Sequence, residues 1–120
     1  MAAPNIVQSP PSTFHHLLCV SVALTASALG PDTSVEQSFT IAGLQAADAL
    51  EPADQILTIT KATYQQGLTL GFARVVTPNT LAVTFINSTT GSVTPTAGDI
   101  YTFVVFRPNH PIVNVVGTGI

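Results

Sequence analysis

The most constraining feature of this sequence is an alternation of apolar with small or hydroxyl side chains over its second half. In residues 67–76, every second side chain is large and apolar: Leu68, Leu70 and Phe72. The opposite face of that segment carries Thr69, Gly71 and Ala73. Residues 81–87 repeat the pattern with Leu81, Val83 and Phe85. A period of two residues is typical of a β-strand with one buried face, so the alternation predicts an all-β domain.

Four further segments of the chain have the same extended pattern, and turns separate them. They are residues 14–27, 35–42, 55–61 and 100–107. Within 55–61, Leu57 and Ile59 are predicted to share one face. Residues 77–80 (TPNT) place Pro78 where the fixed φ of proline suits a β-turn, which predicts a hairpin between the two segments described above. Six strands at this spacing indicate a small antiparallel β-sandwich or barrel, jelly-roll-like in outline.

The last predicted strand is apolar on both faces. One face carries Tyr101, Phe103 and Val105, and the other carries Ile100, Val104 and Phe106. A strand of this kind lies in the middle of a core or at a subunit interface. We expect one β-domain over residues 14–107, between an N-terminal arm (1–13) and a C-terminal tail or edge strand (108–120).

Both ends of the chain differ in pattern from the predicted domain. Residues 1–13 contain three prolines and no periodicity, which predicts either an extended arm or an unstructured terminus. We favour an arm that clasps a neighbouring subunit or a larger scaffold. The residues expected to make such contacts in the arm and the tail are Pro4, Ile6, Val7, Ile112, Val113 and Val115.

The chain carries very little charge. Only 8% of its residues are charged, against roughly 25% in an average soluble protein, while 46% are hydrophobic. A free monomer normally needs more surface charge, so we expect other chains to cover much of this surface. With three Lys and Arg residues and a net charge of −3, the composition argues against nucleic-acid binding and against binding to a membrane surface.

Candidate metal ligands are few and poorly spaced. His15 and His16 are adjacent, so in a strand they point to opposite faces and cannot chelate one ion together. Asp48, Glu51 and Asp54 cluster in a predicted loop without the ligand spacing of a calcium site. We expect these three carboxylates to be solvated, and we expect neither a metal nor a cofactor.

No motif indicates catalysis. The sequence contains neither G-x-S-x-G nor a phosphate-binding glycine loop. Cys19 lies in an apolar strand, where we expect a buried free thiol. Arg74 interrupts an apolar strand, so we expect it to pair with a carboxylate or with backbone carbonyls, as a structural or interface residue. Asn87 is expected to be structural too, although residues 87–89 (NST) match a glycosylation sequon.

One stretch of the sequence resembles a known group of proteins. It contains the pattern Tyr-Gln-x-Gly-Leu over residues 64–68, Ala-Arg-Val over 73–75 and Asn-Thr-Leu-x-Val-x-Phe-x-Asn over 79–87, followed by YTFVVFR over 101–107. Residues 35–107 thereby resemble small β-rich structural proteins of tailed bacteriophages. Such proteins are capsid decoration (cement) proteins, head-fibre bases or tail-associated modules.

The resemblance implies a non-enzymatic β-sandwich that forms a homo-oligomer, a trimer in preference to a dimer. It implies a decoration protein that binds the major capsid protein, is assembled in the host cytoplasm and stabilises the shell at the capsid surface. A tail-fibre or receptor-binding module is the alternative, although that class more often displays aromatic residues for sugars, and this chain has two Tyr and no Trp. A small hydrolase on a β-sandwich is a third reading, which no constellation of residues supports.

Overall fold

A computed structural model describes residues 16–48 and 52–107. The regular secondary structure of these residues consists of β-strands and includes no helix. In chain order the strands are β1 (His16–Leu24), β2 (Thr33–Thr40), β3 (Gln55–Lys61), β4 (Leu68–Thr77), β5 (Thr80–Asn87) and β6 (Asp99–Arg107). Each falls on one of the six segments that the alternation predicts, with ends that shift by a few residues. The predicted all-β fold class is confirmed.

The six strands form two antiparallel three-stranded sheets. Sheet I has the order β1-β6-β3, and sheet II has the order β2-β5-β4. Among these strands only β4 and β5 are neighbours both in the chain and in a sheet, so the other connections cross from one sheet to the other. The sheets meet through their inner faces, and the edge strands β3 and β4 lie side by side. The result is a small β-sandwich.

The core joins the two sheets through aromatic contacts. Phe85 of β5 is fully buried and packs edge-to-face against Tyr101 of β6, with ring centroids 6.2 Å apart. Within sheet II, Phe85 makes a similar contact with Phe39 of β2 at 6.3 Å. Burying a side chain of this size contributes about 1.5–3 kcal/mol. The alternating residues of the central strands therefore hold the sandwich together.

The predicted hairpin is present between β4 and β5. Asn79 occupies the left-handed region at φ 62°, which asparagine tolerates better than most residues. Asn79 also fixes the position of the loop that follows β2. Its backbone N–H donates to the carbonyl of Leu44 at 2.9 Å, and its side-chain Oδ1 accepts from the N–H of Gly43 at 2.7 Å. The turn thus links sheet II to the segment that follows β2.

Two β-bulges overturn part of the predicted alternation. The ladder of β3 shifts between Ile56 and Thr58, and Leu57 is 58% exposed instead of sharing the inner face with Ile59. In β4, the register shift between Leu70 and Ala73 leaves Phe72 67% exposed, although the alternation predicts it on the inner face. A bulge adds one residue to a strand, so the side chains beyond it change faces.

The expectation for Cys19 is also wrong, because its side chain is exposed. Cys19 alternates with the inward-facing residues of β1 and therefore lies on the outer face of sheet I. The arm (residues 1–13) and the tail (108–120) lie outside the described residues. So do the contact residues predicted in them: Pro4, Ile6, Val7, Ile112, Val113 and Val115.

Candidate interaction surface

The outer face of sheet I is uncharged. In the described part of the chain this face, hereafter the uncharged face, consists of Leu17, Cys19, Ser21, Ala23, Gln55, Thr58, Thr60, Ile100, Thr102, Val104 and Phe106. Leu17 is 58% exposed and Ile100 is 45% exposed, while Val104 and Phe106 are partly covered. An outer face without charge and with exposed apolar side chains is typical of a protein–protein contact. The apolar second face of β6 is therefore directed outward.

Three of the four hydroxyl groups on the uncharged face, those of Ser21, Thr60 and Thr102, are hydrogen-bonded to one another or to the backbone. Ser21 and Thr102 are register partners, and their hydroxyl oxygens lie 2.8 Å apart. The hydroxyl of Thr60 donates to the carbonyl of Thr102 at 3.4 Å. Removing a polar group from water costs less free energy when that group already has a hydrogen-bond partner. The face can thus be covered by another protein without leaving these groups unsatisfied.

The outer face of sheet II has a different character. Arg74 of β4 donates two hydrogen bonds to the carboxylate of Glu36 on β2, at 2.7 and 2.9 Å. The two side chains meet above the intervening strand β5, where Ala82 is fully buried. The hydrogen bond from Arg74 lowers the pKa of Glu36 below its ordinary value. Arg74 thus has a carboxylate partner, and this face presents charge and hydroxyl groups to solvent.

Each of the three Lys and Arg residues of the sequence pairs with a carboxylate. Lys61 Nζ lies 2.9 Å from Asp99, and its side chain is 7% exposed. Arg107 contacts Asp54 at 2.7 Å. With the Arg74 pair described above, every cationic side chain is neutralised within the chain. This arrangement offers no row of unpaired cations for phosphate groups.

Asp54 corrects the expectation of a solvated loop. Its side chain is fully buried, and both carboxylate oxygens accept hydrogen bonds from Arg107. The next residue, Gln55, is the register partner of Phe106, so the pairing of β3 with β6 places Asp54 beside Arg107. The available signal was an acidic residue just before one predicted strand and a basic residue at the end of another. Reading it would have required knowing that these strands pair.

Asn87 organises the loop after β5. Its side-chain nitrogen donates to the carbonyls of Gly30 and Gly91, both at 2.8 Å, and its Oδ1 accepts from the backbone N–H and the hydroxyl of Thr89. A Cβ at Gly67 would come within 2.1 Å of the Thr89 side chain, so this close approach requires glycine. Asn87 is 1% exposed, so its amide is inaccessible to a modifying enzyme in the folded protein.

A second surface feature lies where the edges of β3 and β4 meet. Leu57 and Phe72, the exposed residues of the two bulges, flank a groove of about 300 Å³. A neighbouring depression of about 400 Å³ is lined in part by Tyr64, which is 83% exposed. These open grooves present aromatic and aliphatic side chains to solvent.

The described residues show no cluster of three His, Cys, Asp or Glu side chains that could hold a metal ion. Of the two adjacent histidines, His16 begins β1, and His15 lies outside the described residues, as does Glu51. Over residues 16–48 and 52–107 there is no helix long and apolar enough to cross a bilayer.

Comparisons with protein-family models, with curated proteins and with solved structures find no match to this chain. The likeness to phage structural proteins therefore stays a prediction from the sequence. What the geometry contributes is a β-sandwich with one outer face that carries the Arg74–Glu36 ion pair and one outer face that carries apolar and uncharged polar side chains.

Proposed function

We propose that this chain is a non-enzymatic virion structural protein, a capsid decoration protein that binds the major capsid protein and stabilises the shell. The observation that carries the proposal is the uncharged face of sheet I, with its internally bonded hydroxyl groups. The sequence resemblance supplies the class of partner. Its setting is the capsid surface, after assembly in the host cytoplasm.

The physical basis is the repeated burial of a modest apolar surface. Burial contributes about 25 cal/mol per Å² of apolar area removed from water, and a symmetric shell repeats each contact many times. Because the uncharged face carries no Asp, Glu, Lys, Arg or His among its described residues, covering it requires no charged side chain to be desolvated. Shell binding through this face should therefore depend only weakly on salt.

Sedimentation with coat shells from the same source tests the proposal. Ile100→Lys places a charge on an exposed position of the uncharged face, and Ser38→Lys places one on an exposed position of the other outer face. We expect the wild type and Ser38→Lys to sediment with shells and Ile100→Lys to stay in solution. If Ile100→Lys binds as well as the wild type, the face is not the contact, and if no form binds, the decoration role is wrong.

Removal of residues 1–13 tests the arm separately. If the arm clasps the shell, as the sequence predicts, the shortened chain should elute normally in isolation but lose affinity for shells. Unchanged shell binding by the shortened chain would contradict a role for Ile6 and Val7.

A tail-fibre or receptor-binding module remains the second candidate because of the exposed aromatic residues beside the β3–β4 groove. Tyr64 is 83% exposed and Phe72 is 67% exposed, and aromatic rings of this kind stack on sugars. In that case the chain should bind host cells and ignore coat shells, and the double variant Tyr64→Ser with Phe72→Ser should lose cell binding.

A further inference from the structure

Among the edge strands that the structure describes, β1 is the one whose own residues carry none of the usual features that prevent pairing with another strand. Proteins guard sheet edges with charges, prolines or bulges. In this sandwich β3 has a bulge at Leu57 and ends at Lys61, and β4 has a bulge near Phe72 and carries Arg74. Edge strand β2 carries Glu36. Three of the four edges are thus guarded.

The fourth edge has none of these devices. Residues 17–24 of β1 contain no charge and no proline, and the ladder with β6 runs without a bulge from His16–Arg107 to Leu24–Asp99. In the part of the chain that the structure describes, no second strand pairs with β1. Its outward-pointing backbone groups form a template nine residues long.

The side chains of β1 are also incompletely covered. Leu18 faces the interior of the sandwich and is still 47% exposed. Val35, which faces the interior from β2 on the same open side, is 41% exposed. A neighbouring strand beside β1 would cover apolar surface and satisfy backbone groups at once.

We propose that β1 pairs antiparallel with β1 of a second copy, which joins the two sheets I into one six-stranded sheet. The two copies must pair with their faces aligned, because a slip of one residue would expose the inner side chains. Overlap of the full strand places Val20 on the two-fold axis, Leu18 opposite the partner's Val22 and Cys19 opposite the partner's Ser21. This pairing is self-complementary, since residues 17–24 carry no charge that could repel its own copy.

Pairing also doubles the uncharged face. Three strands of this length cover about 400 Å², and six cover about 800 Å², given the spacing of strands and residues in a sheet. The larger value matches the surface that each partner buries in a standard protein–protein interface. Only the use of the doubled face as a contact with the shell depends on the proposed function, because the dimer itself forms without a shell.

Light scattering coupled to size exclusion tests the dimer in the absence of shells. The full-length wild type should be a dimer, and Ser21→Lys should be monomeric, or weaker in association at least tenfold, because the two lysines would lie diagonally across the two-fold axis on the same face of the sheet and repel each other. Ser38→Lys, a matched change in edge strand β2, should remain dimeric. Thr60→Lys, on the outer face of β3, should also remain dimeric, which distinguishes edge pairing from stacking of the uncharged faces. Circular dichroism of each variant verifies that it folds.

Cross-linking tests the register. With oxidised glutathione as the oxidant, Ser21→Cys should form an intermolecular disulfide with Cys19 of the partner copy, because facing residues of antiparallel strands lie within disulfide range. The double variant Cys19→Ser with Ser21→Cys should not cross-link. The proposal is overturned if the wild type is monomeric, if Thr60→Lys dissociates the dimer as Ser21→Lys does, or if the disulfide fails to form. A monomer that dimerises only after removal of residues 1–13 would show that the arm covers this edge instead.

Discussion

The carboxylate of Asp54 accepts two hydrogen bonds from the guanidinium of Arg107, at 2.8 and 2.7 Å, and joins the start of β3 to the end of β6. The Asp54 side chain is fully buried, and that of Arg107 is 27% exposed. Arg107 also donates to the carbonyl of Gly43 at 2.7 Å. One guanidinium therefore connects the last strand of sheet I to two loop segments.

Removing the charge of Asp54 should destabilise the protein strongly. Asp54→Asn leaves the buried side of the Arg107 guanidinium without its counter-ion, and breaking a buried pair in this way costs about 3–5 kcal/mol. Urea unfolding followed by circular dichroism measures the loss. The matched control is Glu36→Gln, which breaks a far more exposed pair and should cost much less. Equal losses for the two variants would contradict the distinction.

Asn87→Asp should be more damaging than its small change in shape suggests. The Asn87 side-chain nitrogen donates to the carbonyls of Gly30 and Gly91 at 2.8 Å, and a carboxylate in its place would face those oxygens while buried. We expect a loss of about 3 kcal/mol or more in the free energy of unfolding. Asn87→Ala removes the bonds without adding a charge and should cost less. If Asn87→Asp is as stable as the wild type, this network is dispensable.

Tyr101→Phe should leave the protein as stable or more stable. The Tyr101 hydroxyl is buried and has no hydrogen-bond partner among the described residues, so its removal relieves a desolvation cost of about 1 kcal/mol. Burial, together with the charge of Asp99, raises the pKa of Tyr101 above its ordinary value of 10.0. The wild type should therefore lose stability as the pH rises above about 10, and Tyr101→Phe should lose less. Thermal melts at pH 8 and pH 11 compare the two forms.

The exposed bulge in β4 should make Phe72 nearly dispensable for stability. Phe72→Ala should cost less than about 1 kcal/mol, because the side chain is 67% exposed. Phe85→Ala removes a fully buried ring and should cost about 3–5 kcal/mol. Chemical unfolding of both variants provides the comparison. A large loss of stability for Phe72→Ala would show that this ring is buried and would contradict its exposed position.

Acid should destabilise the fold through two carboxyl groups. Hydrogen bonds from Lys61, Thr63 and the Ile100 N–H lower the pKa of Asp99 below its ordinary 3.8, and Arg74 lowers that of Glu36 below 4.5. The folded protein then binds fewer protons than the unfolded chain, so stability is fully present above these ordinary values and falls as the pH drops through the folded ones. Denaturation midpoints between pH 6 and pH 2 should decline below about pH 4.5. Glu36→Gln should flatten part of that decline.

The strands were predictable because each satisfies a periodic rule that spans many residues. Leu81, Val83 and Phe85 repeat at every second position, and all three are buried. The same rule failed at Leu57 and Phe72, because a bulge inserts one residue and is specified by local backbone pairing that no period reveals. Alternation therefore predicts where a strand lies, but it does not predict whether the strand contains a bulge.

The sites depended on strand pairing, which the sequence pattern did not contain. The expectation of a buried Cys19 required β1 to be covered on both faces, and the structure leaves the outer face of sheet I, where Cys19 lies, exposed. The Asp54–Arg107 pair required β3 to lie beside β6. A partner for Arg74, either a carboxylate or backbone carbonyls, was predictable because a cation in an apolar strand needs one, but that it is the carboxylate of Glu36 depended on the order of sheet II.

The pairing of the first strand with the last has a consequence for biosynthesis. β1 ends at Leu24 and β6 begins at Asp99, so β1 emerges from the ribosome long before its ladder partner exists. At translation rates of roughly 5–20 residues per second, this interval lasts on the order of 4–15 s. Throughout it, the nascent chain carries an uncharged strand with neither edge paired. The nascent chain is therefore most susceptible to aggregation or chaperone capture before the last strand is made.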